Sequence, residues 1–148
     1  MSYLTAWPSR DLIMAANQQV THDWWNTRRH GYDLFISQLV LVESAGGDPD
    51  AAARRLKAME GIPSVAAPAN AMKIARSLMK SVPLPSKAEA DATHLAIAAA
   101  NGMDFFLTWN CRHLANATLY RGIESTCAYW GHKAPTICTP LQLIGDRP

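Results

Sequence analysis

AEADATHLAIAAANGMDFFLTWNCRHLANA, residues 88–117, is the stretch that decides the reading of this chain. Asp91 opens an alanine-rich segment at helical spacing, which Asn101-Gly102 closes. A short apolar run at 105–108 follows, ending on Thr108-Trp109-Asn110. Helix, turn, strand and polar cluster in that order place Asn110 beyond the carboxyl end of a strand. Asp91 sits on the helix before it. In open α/β sheets that edge is where ligands bind. Ser86 and Glu89 stand three apart, the spacing of a capping box, which puts Asp91 in the first turns of the helix.

Outward from this block, strand-like and helix-like segments alternate. Trp7-Pro8-Ser9 reads as a helix start, and Leu12, Ile13, Ala16, Val20 and Trp24 recur at helical spacing after it. Arg28-Arg29-His30-Gly31 reads as the end of that helix, cations first and glycine after. Residues 32–37 are strand-like, and a helix carrying Glu43 follows until Gly46-Gly47. Asp48-Pro49 caps and starts the next helix, which runs to Gly61. A weak strand is expected at 62–66 and a helix at 70–80. Beyond the central block come short helices at 112–116 and 118–131, a strand at 135–138, and a closing turn from Thr139-Pro140. Four strands are legible, near Leu34, Val65, Phe106 and Ile137. The alternation predicts an α/β fold with a parallel sheet and helices on both faces, in one domain over residues 1–148.

Composition bounds the function. Of 148 residues, 49% are apolar and 18% charged, the balance of a chain with its own core. A formal charge of +2 gives no bulk attraction for nucleic acid, so any such contact needs a local basic patch. Cys111, Cys127 and Cys138 are odd in number and widely spaced, which predicts free thiols in a cytoplasmic protein. No apolar stretch approaches the ~18 residues of a membrane span, and no signal segment is expected.

The chemistry-bearing candidates are oxygen donors. Glu43, Asp91 and Asn110 are the expected site residues, whereas Asp104 precedes its strand and reads as a turn residue. Asn110 also suits the N-cap of a helix beginning at Cys111. His94 lies one turn after Asp91 but lacks the nearby His or Cys that zinc requires. Cys111 and His113 have no third partner for a nucleophilic triad, and Gly46-Gly47-Asp48 lacks the context of a phosphate loop. In Trp24-Trp25, beside Arg28-Arg29, helical spacing predicts one core and one surface indole. Carboxylates and an amide without thiolate or imidazole partners suit a hard cation, Mg²⁺ or Mn²⁺, at a phosphodiester.

The block Asp91-Ala92-Thr93-His94-Leu95-Ala96-Ile97-Ala98, with residues 102–116 after it, resembles the PIN-domain family. Within that family it is most similar to VapC-type toxins of type II toxin–antitoxin pairs. Leu39-Val40-Leu41-Val42-Glu43, Asp48-Pro49 and Ile137-Cys138-Thr139-Pro140 extend the resemblance over most of the chain. The resemblance implies a three-layer α/β/α fold with a five-stranded parallel sheet. It implies a Mg²⁺- or Mn²⁺-dependent ribonuclease, a cognate antitoxin and a possible homodimer. Glu43 and Asp91 match two metal-site acids of the family, and Thr108 and Asn110 match a threonine–x–aspartate pattern with asparagine in the last place. Members open with a central strand that ends on a further acid, whereas this sequence opens Met1-Ser2-Tyr3-Leu4-Thr5. The first strand is therefore expected to be truncated or absent, either because the reading frame starts upstream, which is the favoured expectation, or because the chain is a non-catalytic interaction or RNA-binding relative.

Overall fold

Asp11 starts the first long helix. Its carboxylate accepts the Met14 N–H at 2.8 Å, so the cap lies two residues beyond Ser9. Ser9 instead accepts the Asp11 N–H through its hydroxyl, which makes the expected helix start a turn leading to the cap. The computed structural model describes residues 2–110, 114 and 116–144. The expectation of a helix from Cys111, and the pairing of Cys111 with His113, lie outside the described residues.

The chain forms two compact units, residues 1–65 with 140–148, and residues 66–139. The first unit holds α1 (Ser2–Thr5), α2 (Leu12–Thr27), β1 (Ile36–Ser37), α3 (Gln38–Ser44), α4 (Pro49–Ala58) and β2 (Ser64–Val65). A short 3-10 turn over Pro140–Leu143 packs on α2. β1 and β2 pair in parallel, Ile36 opposite Ser64 and Ser37 opposite Val65, with α3 and α4 as the crossover. Ser37 ends β1 and caps α3 at once, its hydroxyl accepting from Val40 N at 3.2 Å. Asp48 and Pro49 start α4 as their types predict, with Asp48 accepting from Ala51 N at 2.8 Å. α2 ends in a 3-10 turn over Arg29–Gly31 rather than on a left-handed glycine.

The second unit holds α5 (Ala71–Ser81), α6 (Glu89–Ala100), β3 (Phe105–Leu107), α7 (Ala117–Tyr129) and β4 (Thr136–Cys138). β3 and β4 are parallel, with Phe105, Phe106 and Leu107 opposite Thr136, Ile137 and Cys138, and α7 is their crossover. Ile74, Leu78 and Val82 on and after α5, Leu95, Ala96 and Ala99 on α6, and Leu119, Ile123 and Cys127 on α7 close one apolar core with Ile137. The alanines of α6 let it sit close to α5, since small side chains shorten the interaxial distance. Gly122 does the same for α7: a Cβ there would lie 3.3 Å from a Val82 methyl.

Two local expectations are corrected in this unit. Ser86 does not cap α6; residues Ser86–Ala88 form a 3-10 turn and Ala88 is the N-cap without a side-chain bond. Asn116 is not the end of a helix but the N-cap of α7, accepting from Thr118 N at 3.1 Å. The end of α6 is as expected. Gly102 takes φ +69°, its N–H reaches Ala99 O at 3.0 Å and Met103 N reaches Ala98 O at 3.0 Å, the two bonds of a Schellman motif.

The fold is thus mixed helix and strand with short parallel pairs, within the α/β class expected. Among the described residues the strands form two separate two-stranded sheets, β1–β2 and β3–β4. No described helix is long and apolar enough to cross a membrane.

Candidate functional site at the carboxyl end of the third strand

In the second unit, Asp91 and Asn110 meet. Asp91 lies in the first turn of α6, beside Glu89, where two carboxylates complement the helix dipole. β3 delivers the chain to Thr108, whose N–H bonds Cys138 O at 2.9 Å and so continues the β3–β4 ladder one residue past the strand. The Thr108 hydroxyl then accepts the Asn110 N–H at 3.0 Å and turns the backbone. This turn aims the Asn110 side chain at α6, where Nδ2 donates to Asp91 Oδ2 at 2.6 Å. A hydrogen bond to a charged partner of this kind contributes about 1.5–3 kcal/mol. Both side chains are half-buried. The Asn110 carbonyl also accepts the Leu114 N–H at 3.0 Å.

The chemistry follows from this pairing. Asn110 spends its donor side on Asp91, which fixes the amide plane and sets its carbonyl oxygen as an acceptor or ligand. Asp91 sits in the first turn of α6. A carboxylate and an amide carbonyl are hard oxygen donors, and Mg²⁺ is commonly held by one or two carboxylates with waters and substrate phosphate completing the shell. The donor set in this unit therefore fits such an ion. Among the described residues no group of three or more His, Cys, Asp or Glu side chains is gathered for a metal. His94 lies one turn along α6 and is half-buried.

Glu43 belongs to the first unit. It occupies the last turn of α3, is exposed, and its carbonyl accepts the Gly46 N–H at 3.2 Å. Asp104 is exposed and precedes β3, with its carbonyl accepting Thr136 N at 2.8 Å. That is the amino end of the strand, as its sequence position requires. Trp24 is the core indole, 3% exposed, and Trp25 is half-buried with the Arg29 guanidinium 4.6 Å from its ring centre. Sequence spacing singled out Asp91 and Asn110 but not the direct bond between them. Its signal was Thr108, because a hydroxyl two residues before an amide favours a side-chain turn.

Compared with family models, with characterised proteins and with solved structures, the chain gives no match.

Proposed function

We propose that this chain is a VapC-like PIN ribonuclease that hydrolyses RNA phosphodiester bonds in the cytoplasm and is neutralised by a cognate antitoxin. The observation that carries the proposal is the Asp91–Asn110 pair beyond the carboxyl end of β3. It supports the resemblance at the positions where the family keeps its metal-site residues. Two parallel strand–helix–strand units are compatible with the α/β class to which a three-layer α/β/α arrangement belongs. In this reading Asp91 would hold a Mg²⁺ or Mn²⁺ ion, with Asn110 orienting Asp91. The ion would neutralise charge on the phosphodiester and acidify the attacking water.

A non-catalytic role in binding a partner is the second reading. It is favoured by Leu12 and Ile13 at the start of α2, which are 86% and 75% exposed. One assay separates the two. Purified chain is incubated with single-stranded RNA and Mg²⁺, with and without EDTA, beside the Asp91→Asn variant. The ribonuclease reading expects cleavage that EDTA abolishes and that Asp91→Asn lowers at least ~100-fold, the size of losing one charge-stabilising group. Cleavage indifferent to both changes, or none from folded chain, rejects it.

A further inference from the structure

The first unit carries a feature that the Asp91 site does not use. A cavity of about 360 Å³ lies between the segment after α1 and the exposed face of α4, lined by Thr5, Trp7, Asp48, Arg54 and Arg55 among others. That volume is at the lower end of small-molecule sites, ~300–1,000 Å³. Trp7 is 78% exposed, with its backbone anchored and one face of its ring against Arg54. Gln18, itself buried, donates from Nε2 to Trp7 O at 3.0 Å, and its Oε1 accepts Ser9 N at 2.8 Å. The Arg54 guanidinium carbon stands 5.4 Å from the indole centre. One face of the ring is thus backed by a cation, and much of the rest faces solvent.

Arg54 is fixed as well. Its Nε donates to Thr5 O at 3.2 Å, which leaves both terminal nitrogens without a partner among the described residues. A guanidinium pinned at Nε presents those nitrogens as a planar fork, the geometry that matches a phosphate. Arg55, next to it and also lining the cavity, donates to the carbonyls of Ser44 and Gly46 and adds its charge. Asp48 is the acid of the cavity, and its carboxylate is engaged with Ala51 N at the start of α4. An exposed indole beside an anchored arginine is a stacking platform next to an anion fork. That pairing suits a nucleotide, which has a π-face and a phosphate a few ångströms apart.

We propose that this cavity is a subsite for one nucleotide of a single-stranded RNA, with its base on the open face of Trp7 and its phosphate on Arg54. The subsite deepens the ribonuclease reading and rests on it for the choice of RNA.

The test is equilibrium binding of the full chain to a fluorescein-labelled single-stranded RNA dodecamer, read by anisotropy in EDTA so that metal-dependent cleavage is silent. Trp7→Ala is expected to weaken binding roughly 5- to 100-fold, the range for one base–aromatic stack. Trp7→Phe should stay within about threefold of the parent, because a ring face remains. Arg54→Gln should weaken binding and reduce the slope of log affinity against log salt by about 0.7, the value for one phosphate contact on a single strand. Arg54→Lys should keep the slope. Melting temperatures should be equal for Trp7→Ala and parent, since the ring is exposed. Binding indifferent to Trp7→Ala, an unchanged salt slope in Arg54→Gln, or Trp7-dependent capture of an acidic decapeptide in place of RNA each overturns the subsite. Trp7-dependent RNA binding without Mg²⁺-dependent cleavage upholds the subsite and rejects the ribonuclease reading. Asp91-dependent cleavage with binding indifferent to Trp7 does the reverse.

Discussion

The two units of this chain share a connectivity and differ in what they bury. Each is a parallel strand pair joined by helical crossovers. In the second unit the crossover helix and its neighbours close a core with Ile74, Leu78, Leu95, Leu114 and Ile123 all at or near zero exposure. In the first, the buried apolar side chains are Trp24, Ala52 and Met59, and Trp24 Nε1 is buried without a hydrogen-bond partner among the described residues. The apolar residues of the first unit are not fewer by type. Trp7, Leu12, Ile13, Phe35 and Val42 are present and exposed. The difference teaches that a helical apolar period states which face is available for burial. Whether it is buried depends on a second surface to receive it.

The largest effect that tests this contrast is a pair of truncations. Leu95→Ala should cost about 3–5 kcal/mol, because a fully buried leucine leaves a cavity among closely packed helices. Leu12→Ser should change stability by no more than ~0.5 kcal/mol, as an exposed side chain loses little burial. Urea unfolding of both variants measures the difference. Equal costs would erase the distinction between the units.

Thiol chemistry gives the next effect. Burial pushes the Cys127 and Cys138 thiols up to about 11 from an ordinary 9.0. At pH 8 their thiolate population, and with it their rate with a disulfide reagent, should be about 100-fold below that of an unfolded control. A Cys111→Ser background isolates the two. The sign on stability follows from the neutral form being favoured by the folded state. The contribution is intact below the unfolded pKa, then falls as pH rises from about 9 through about 11. Labelling at the unfolded rate at pH 8 would show that the core of the second unit opens as readily as the first.

The smallest effects concern local signals, and these should not distinguish the units. Asp11→Ala removes the cap of α2 and should cost about 1 kcal/mol. Gly102→Ala should cost a similar ~1 kcal/mol, since φ +69° strains an L residue although nothing lies within 4 Å of the new Cβ. Thermal unfolding measures both. A cost for Asp11→Ala far beyond that of Gly102→Ala would mean that caps carry more of the first unit than its core does.

These local signals are also what the sequence displayed best. Asp48-Pro49 and Asn101-Gly102 were readable because each acts through its own backbone, and both stand as read. Ser86 and Glu89 had the spacing of a capping box and did not form one, because Ser86–Ala88 turned into a 3-10 segment that precedes the helix. Tyr32 to Phe35 have strand character by type, but the ladder begins at Ile36, where β2 supplies a partner. For the candidate site, residue type and position gave Asp91 and Asn110. Neither could state that the amide of one bonds the carboxylate of the other. That depends on the Thr108 turn and on the first turn of α6 lying within reach of the segment after β3. Trp7 and Arg54 are 47 positions apart by their numbers and carry no motif, so their stacking was not legible at all.

By itself, then, the sequence determined the order of helices and strands, those starts and stops that act through their own backbone, and the residue types able to hold a hard cation. These follow from dihedral preference, capping and periodicity, which act over a few residues. The tertiary structure alone decided which apolar faces were covered, which two strands paired, and which donors met which acceptors. Burial and hydrogen bonding between distant residues depend on a partner surface, and no residue carries that information in its own neighbourhood.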